Sequence, residues 1–125
     1  MGKQPMGYVY IALTVVFTVY GQLVIKWQMT GQELPPGLVD KVVFILKQYL
    51  NPWVLSGLGS AFVASMAWIA AMTQFELSFA YPFMSTAFVL VMILSMVLFG
   101  EALNAFKLAG TLLIIAGMFV LARGL

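Results

Sequence analysis

The chain has 125 residues, 63% of them hydrophobic and only 8% charged, with a formal net charge of +2 and a mean hydropathy of +1.04. So little charge cannot cover the surface of a soluble domain of this size, so most of that surface has lipid for its solvent. The absence of cysteine and histidine excludes thiol nucleophiles, disulfides, Cys/His metal centres and imidazole bases. The four carboxylates, Glu33, Asp40, Glu76 and Glu101, stand far apart without metal-ligand or acid/base spacing, and the small, dispersed positive charge argues against nucleic acid. The composition predicts an all-α membrane protein that is not an enzyme and needs no metal or cofactor.

A membrane-crossing helix needs about 20 mostly apolar residues. The first stretch that qualifies is 6–27. Lys3 precedes it and the apolar run continues past Ile25 without a small-x-small cleavage site, so it is expected to be an uncleaved span. This span carries polar residues at spacing four, Thr14, Thr18, Gln22 and Lys26. At 1.5 Å rise per residue the stripe runs roughly 18 Å, and it stays on one broad face because each step drifts by only about 40°. Polar groups inside a bilayer face the protein interior or a wet cavity. For the threonines, helix–helix contact with hydroxyls bonded to their own backbone is an equal alternative; the Gln22 amide and the Lys26 ammonium need partners of their own.

The linker after the first span is broken by Pro35-Pro36-Gly37. Over 38–50 apolar residues then recur at Leu38, Val42, Ile45, Leu46 and Tyr49, with Asp40, Lys41, Lys47 and Gln48 elsewhere around the helix, which predicts an amphipathic helix on the membrane surface. The second span is expected at 52–75, opened by an Asn51 cap and a first-turn Pro52. Its small residues Gly57, Ala61 and Ser65 at spacing four, beside Ser60 and Ala64, predict close helix packing. The third span is expected at 81–99, with Pro82 in its first turn and Gly100 ending it, and it places Tyr81, Ser85, Phe88, Met92, Ser95 and Phe99 on one face. The fourth is expected at 105–121 behind an Asn104 cap, where Gly110 and Gly117 mark a packing seam within the protomer or between protomers. The short linkers make the last three spans antiparallel neighbours, all within one domain, 1–125. Glu101 and Lys107 both oppose their helix dipoles and share a membrane side with Lys26, so they are candidates for a charged cluster at a cavity mouth, with snorkelling to water as the alternative. Lys3 and Arg123 fall on one side and Lys26, Lys41, Lys47 and Lys107 on the other, which favours cytoplasmic linkers and periplasmic termini.

With these residues in view, a resemblance emerges. Phe99-Gly100-Glu101-Ala102-Leu103-Asn104, with Leu108-Ala109-Gly110-Thr111 and the run to Ala116-Gly117, resembles the third-to-fourth helix junction of the drug/metabolite transporter superfamily, which holds the small multidrug resistance pumps and EamA-like proteins. Gly21 with Lys26, and Ala80-Tyr81, resemble the end of the first helix and the start of the third in those pumps. Aligned on Gly21 and Lys26, the pumps' membrane-centre glutamate falls at Thr18, and the tryptophan after their helix-three tyrosine falls at Met84. Gly21-Gln22-Leu23-x-x-Lys26, Tyr81-Pro82-Phe83-Met84-Ser85 and Phe88-Val89 are more similar to the subunits that flip undecaprenyl-phosphate-linked 4-amino-4-deoxy-L-arabinose in the bacterial inner membrane for lipid A modification.

That resemblance implies a multi-pass transporter of a polyprenyl-phosphate-linked aminosugar, working as a homodimer or with a sister four-helix subunit, and moving substrate down its own gradient without a coupling ion. It also implies a candidate site. Lys26 would meet the phosphate, Gln22, Thr18 and Thr14 the sugar, Glu101 its amine, and Tyr81 and Ser85 the opposite wall. Two other readings stand beside it: an exporter of cationic compounds whose carboxylate has been lost or moved, and a membrane partner subunit that does not itself transport.

Overall fold

The structure, a computed structural model, describes residues 5–124. Six helices follow one another: α1 Pro5–Met29, α2 Leu38–Gln48, α3 Pro52–Met72, α4 Leu77–Phe83, α5 Ser85–Phe99 and α6 Ala105–Arg123. The chain is an all-α membrane protein. Four stretches, Met6–Met29, Pro52–Met72, Leu77–Phe99 and Ala105–Arg123, are long and apolar enough to cross a bilayer, and helices satisfy their own backbone there. Lys3, one of the two cations expected on the terminal side, lies outside the described residues.

Side-chain chemistry sets the helix ends. Asn51 accepts from the Trp53 N–H at 2.9 Å and Asn104 from the Lys107 N–H at 2.9 Å, so each caps the helix that follows it. Gly100 ends α5 at φ 67°, a left-handed conformation that a Cβ would oppose. The third span is two helices rather than one. It begins at Leu77, which places Pro82 inside α4 instead of in a first turn. Pro82 has no N–H to offer and its ring crowds the carbonyl four residues back, so α4 gives way to α5 across Met84, where Met84 N and Ala87 N reach back only three residues, to the Tyr81 and Met84 carbonyls.

The core is the pairing of α1 with α3, the most extensive contact between elements. The buried face of α3 runs Val54, Gly57, Ser60, Ala64, Ala67 and Ala71. Mixed steps of three and four keep this row nearly parallel to the helix axis, whereas the expected spacing-four row of Gly57, Ala61 and Ser65 drifts by about 40° per step. Gly57 therefore lies in the seam, and Ala61 and Ser65 are exposed beside it. The helices nearly touch at paired glycines: a Cβ on Gly57 would lie 2.6 Å from Val24 Cγ1, and one on Gly21 would lie 3.0 Å from the Gly57 carbonyl oxygen. Ser60 Oγ donates to the Phe17 carbonyl at 2.6 Å across the same seam. At the linker end, Asn51 Nδ2 donates to Gln28 Oε1 at 2.8 Å and Trp27 meets Trp53 edge to face, ring centroids 5.2 Å apart.

Beside this pair, α5 packs its Ala87 against Val15 and Val19 of α1. At the terminal end Ile11, Ala71, Phe75 and Ala80 form a second cluster that ties α4 to α1 and α3. The periphery is α6, the least covered span, with Thr111 its one buried residue. Cβ atoms on Gly110 and Gly117 would meet nothing within 4 Å, so the expected seam of α6 packs against no other part of the described chain. In α2 no residue is buried, and Leu38, Val39, Val42 and Leu46 are exposed on its apolar side, the arrangement of a helix whose partner is a bilayer surface.

Candidate functional site

On α1 the face packed on α3 and the face packed on α5 are separated by the polar stripe, so the stripe becomes the floor of a groove. This groove, about 350 Å³ in volume, has Thr14, Thr18 and Gln22 along the floor, Ala61, Ser65 and Trp68 of α3 on one wall, and Tyr81 and Met84 on the other. Its size suits a sugar-sized group, since small-molecule sites span roughly 300–1,000 Å³. The glycine pair Gly21 and Gly57 closes its base.

The polar groups in the groove are not equivalent. Thr14 is buried and its hydroxyl donates to the Tyr10 carbonyl at 2.8 Å. Ser65 likewise donates to the Phe62 carbonyl at 2.7 Å. The Thr18 hydroxyl, the Gln22 amide and the Tyr81 hydroxyl make no hydrogen bond among the described residues, and all three line the groove. Tyr81 is held by its ring, edge-on to Trp68 with centroids 6.0 Å apart. A hydroxyl, an amide and a phenol thus converge with unused hydrogen-bonding capacity on a surface otherwise built for lipid. No carboxylate lines the groove, and no group of acidic side chains among the described residues could hold a metal ion.

The remaining sequence candidates sit elsewhere. Lys26 is exposed one turn beyond Gln22, at the linker end of the stripe, and does not itself line the groove. Ser85 is half-buried at the start of α5 and leaves its wall position to Met84. Glu101 lines a different cleft, between α5 and α6, together with Lys107. Ile25, Trp68 and Met84 are the groove residues that sequence reasoning missed. Trp68 stands three residues beyond Ser65 and seven beyond Ala61, so a wall was legible once that row was read as facing a cavity rather than a helix.

No family model matches the chain, and no solved structure matches it. Curated relatives do. A protein of Aeromonas hydrophila subsp. hydrophila named "Probable 4-amino-4-deoxy-L-arabinose-phosphoundecaprenol flippase subunit ArnF" is 31% identical over 113 residues, 89% of this chain and 76% of that one. The protein of the same name from Serratia proteamaculans is 29% identical over 92% of this chain and 91% of its own length. A "Probable 4-amino-4-deoxy-L-arabinose-phosphoundecaprenol flippase subunit ArnE" of Pseudomonas aeruginosa is 33% identical over 58% of this chain and 64% of its own.

Proposed function

We propose a reading that starts from one established point: the chain belongs to the family of 4-amino-4-deoxy-L-arabinose-phosphoundecaprenol flippase subunits. On this reading it is a subunit that moves an undecaprenyl-phosphate-linked aminosugar of that type across the bacterial inner membrane, for the modification of lipid A. Flipping needs no bond to form or break. It needs a path along which a polar head escapes hydrocarbon while its tail stays in lipid.

The observation that carries the reading is the pair Thr18 and Gln22, unbonded side chains on the floor of an open groove between membrane-spanning helices. They replace water around sugar hydroxyls as the head passes, and Tyr81 completes the wall. Lys26, at the linker end of the same stripe, pairs with the phosphate. The groove's lack of a carboxylate favours this substrate over export of cations, which calls for an acidic partner in the span. ArnE and ArnF relatives are named as different subunits, which supports a second four-helix chain as the partner, a sister subunit or another copy. The small-residue row of α6, Gly110 and Gly117, where an added Cβ meets nothing within 4 Å, is the seam proposed for it.

The test is complementation. In a bacterium deleted for its own flippase subunits, expressing this chain with each candidate partner is expected to restore aminoarabinose on lipid A, read by mass spectrometry. Unmodified lipid A under every pairing, with the protein present in the membrane, overturns the reading.

A further inference from the structure

The amine of an aminosugar is protonated at neutral pH, and no carboxylate lines the groove to receive it. Glu101, the acid expected at that task, lies in the other cleft beside Lys107. Distance along the groove matters as well. Counted along the helices through the Gly21–Gly57 crossing, roughly 24 Å separate Lys26 from Trp68. Even with both side chains reaching inward, a pyranose phosphate is too short to bridge that distance. The phosphate therefore cannot rest on Lys26 while the sugar lies beside Trp68, and the contacts at that end must hold the head without help from the lysine.

What stands there is aromatic. Trp68 is half-buried; it packs on the cluster of Ile11, Ala71, Phe75 and Ala80 and also lines the groove. Tyr81 lines it from α4. Their ring planes stand at 88° with centroids 6.0 Å apart, so two π systems bound a corner of the groove. An aromatic face attracts a cation within about 6 Å of its centroid, tryptophan most strongly, and the attraction grows as water is removed. The Tyr81 hydroxyl, unbonded among the described residues, can accept from one N–H of an ammonium. A fixed anion is not required, because the head carries its own phosphate; the corner has only to replace the water around the amine. A neutral sugar in the same place gains none of this attraction.

We propose that Trp68, together with Tyr81, is the specificity-determining element of the groove: the aromatic corner recognises the protonated amine of the sugar and distinguishes it from the same head without the charge. The inference rests on the flippase reading for its substrate and adds to it the group that is recognised and the side chain that recognises it.

The test is native mass spectrometry of the full chain in detergent. Undecaprenyl-phosphate aminoarabinose is added at equal concentration with undecaprenyl-phosphate arabinose, in which a hydroxyl stands where the amine does. The expected result is retention of the amine lipid about tenfold above the neutral one, the scale of one desolvated cation–π contact. Trp68→Leu brings that ratio near one, and Trp68→Phe, which keeps a smaller ring, retains part of it. Because Trp68 also supports the apolar cluster, a second measurement leaves its shape in place: protein made with tryptophan fluorinated on the benzo ring keeps the side chain and weakens the negative π face. Trp27 and Trp53 line a different cleft at the linker end, so Trp68 is the tryptophan this reports on. The ratio is expected to fall severalfold on fluorination while the melting temperature holds. Equal retention of the two lipids by the unmodified chain, retention of neither, or a preference unchanged by fluorination overturns the proposal. Equal retention alongside successful complementation sinks this inference alone; an amine preference alongside failed complementation sinks the flippase reading alone.

Discussion

Thr14 and Thr18 are one helical turn apart on the same stripe, yet the structure gives them different roles. The Thr14 hydroxyl is already satisfied by the Tyr10 carbonyl, and that of Thr18 has no partner. A group that is satisfied internally has little to offer a substrate, whereas an unused one exchanges water for substrate at a gain of about 0.5–1.5 kcal/mol per hydrogen bond. The expected outcome is that Thr18→Val with Gln22→Leu lowers lipid A modification about tenfold or more, two such bonds being lost. Thermal stability should hardly change, because neither side chain supports another residue. Thr14→Val should leave modification within about twofold. Equal losses from both would show that the groove does not distinguish them. Lys26 belongs at this scale too. It is exposed, and its ammonium makes no hydrogen bond or ion pair among the described residues that its removal would break. Lys26→Met is expected to abolish modification while the protein accumulates and melts normally; a fully active variant removes Lys26 from the proposed site.

Among the elements, the decisive contact is the α1–α3 crossing. Without a hydrophobic effect between helices in lipid, association depends on close packing, and the Gly21–Gly57 pair supplies it. Gly57→Ala sets a methyl 2.6 Å from Val24 Cγ1. The neighbour is a stiff β-branched side chain on a packed helix, so the helices must separate. A loss of about 1–3 kcal/mol is expected, as for other overpacked sites, measured by thermal or detergent unfolding. Gly117→Ala, with open space at its Cβ, is expected to leave the isolated protomer unchanged. The α4–α5 break acts differently. By ending α4 at Phe83, Pro82 lets the wall of the groove be made by Tyr81 and Met84 from a short segment separate from the helix that packs Ala87 on α1.

Across the whole molecule, cover is uneven: α1 and α3 bury a third of their most apolar stretches and α6 only 6%, so α6 is where another chain adds most burial. Four helices leave the groove open on one side, and in the proposed function a partner completes the enclosure. The chain has no cysteine, so a single Gly117→Cys is a clean probe. Oxidation in membranes is expected to cross-link it to a second copy, or to a sister subunit carrying a cysteine at the corresponding position, and the pairing that cross-links should be the one that restores modification. A Cys at Val63, on the far side of α3, is the control expected to stay monomeric.

The number of spans, their caps at Asn51 and Asn104 and the left-handed stop at Gly100 were legible in the sequence, because each depends on local properties: apolar length, a side-chain acceptor within three residues, a missing Cβ. The stripe of Thr14, Thr18 and Gln22 was legible for the same reason, since residues four apart share a helix face wherever the helix lies. What the stripe faces was decided only when α3 and α5 docked on either side of it. That docking turned Ala61 and Ser65 from an expected packing row into a groove wall, brought in Trp68 and Met84, and left Glu101 beside Lys107 in a separate cleft. Rotation of one helix against another is fixed by which small residues allow the closest approach, here Gly21 on Gly57, and a tenth of a turn, about 40°, moves a side chain from seam to cavity. Spacing along a single helix specifies which residues share a face, and only packing between helices specifies what that face meets.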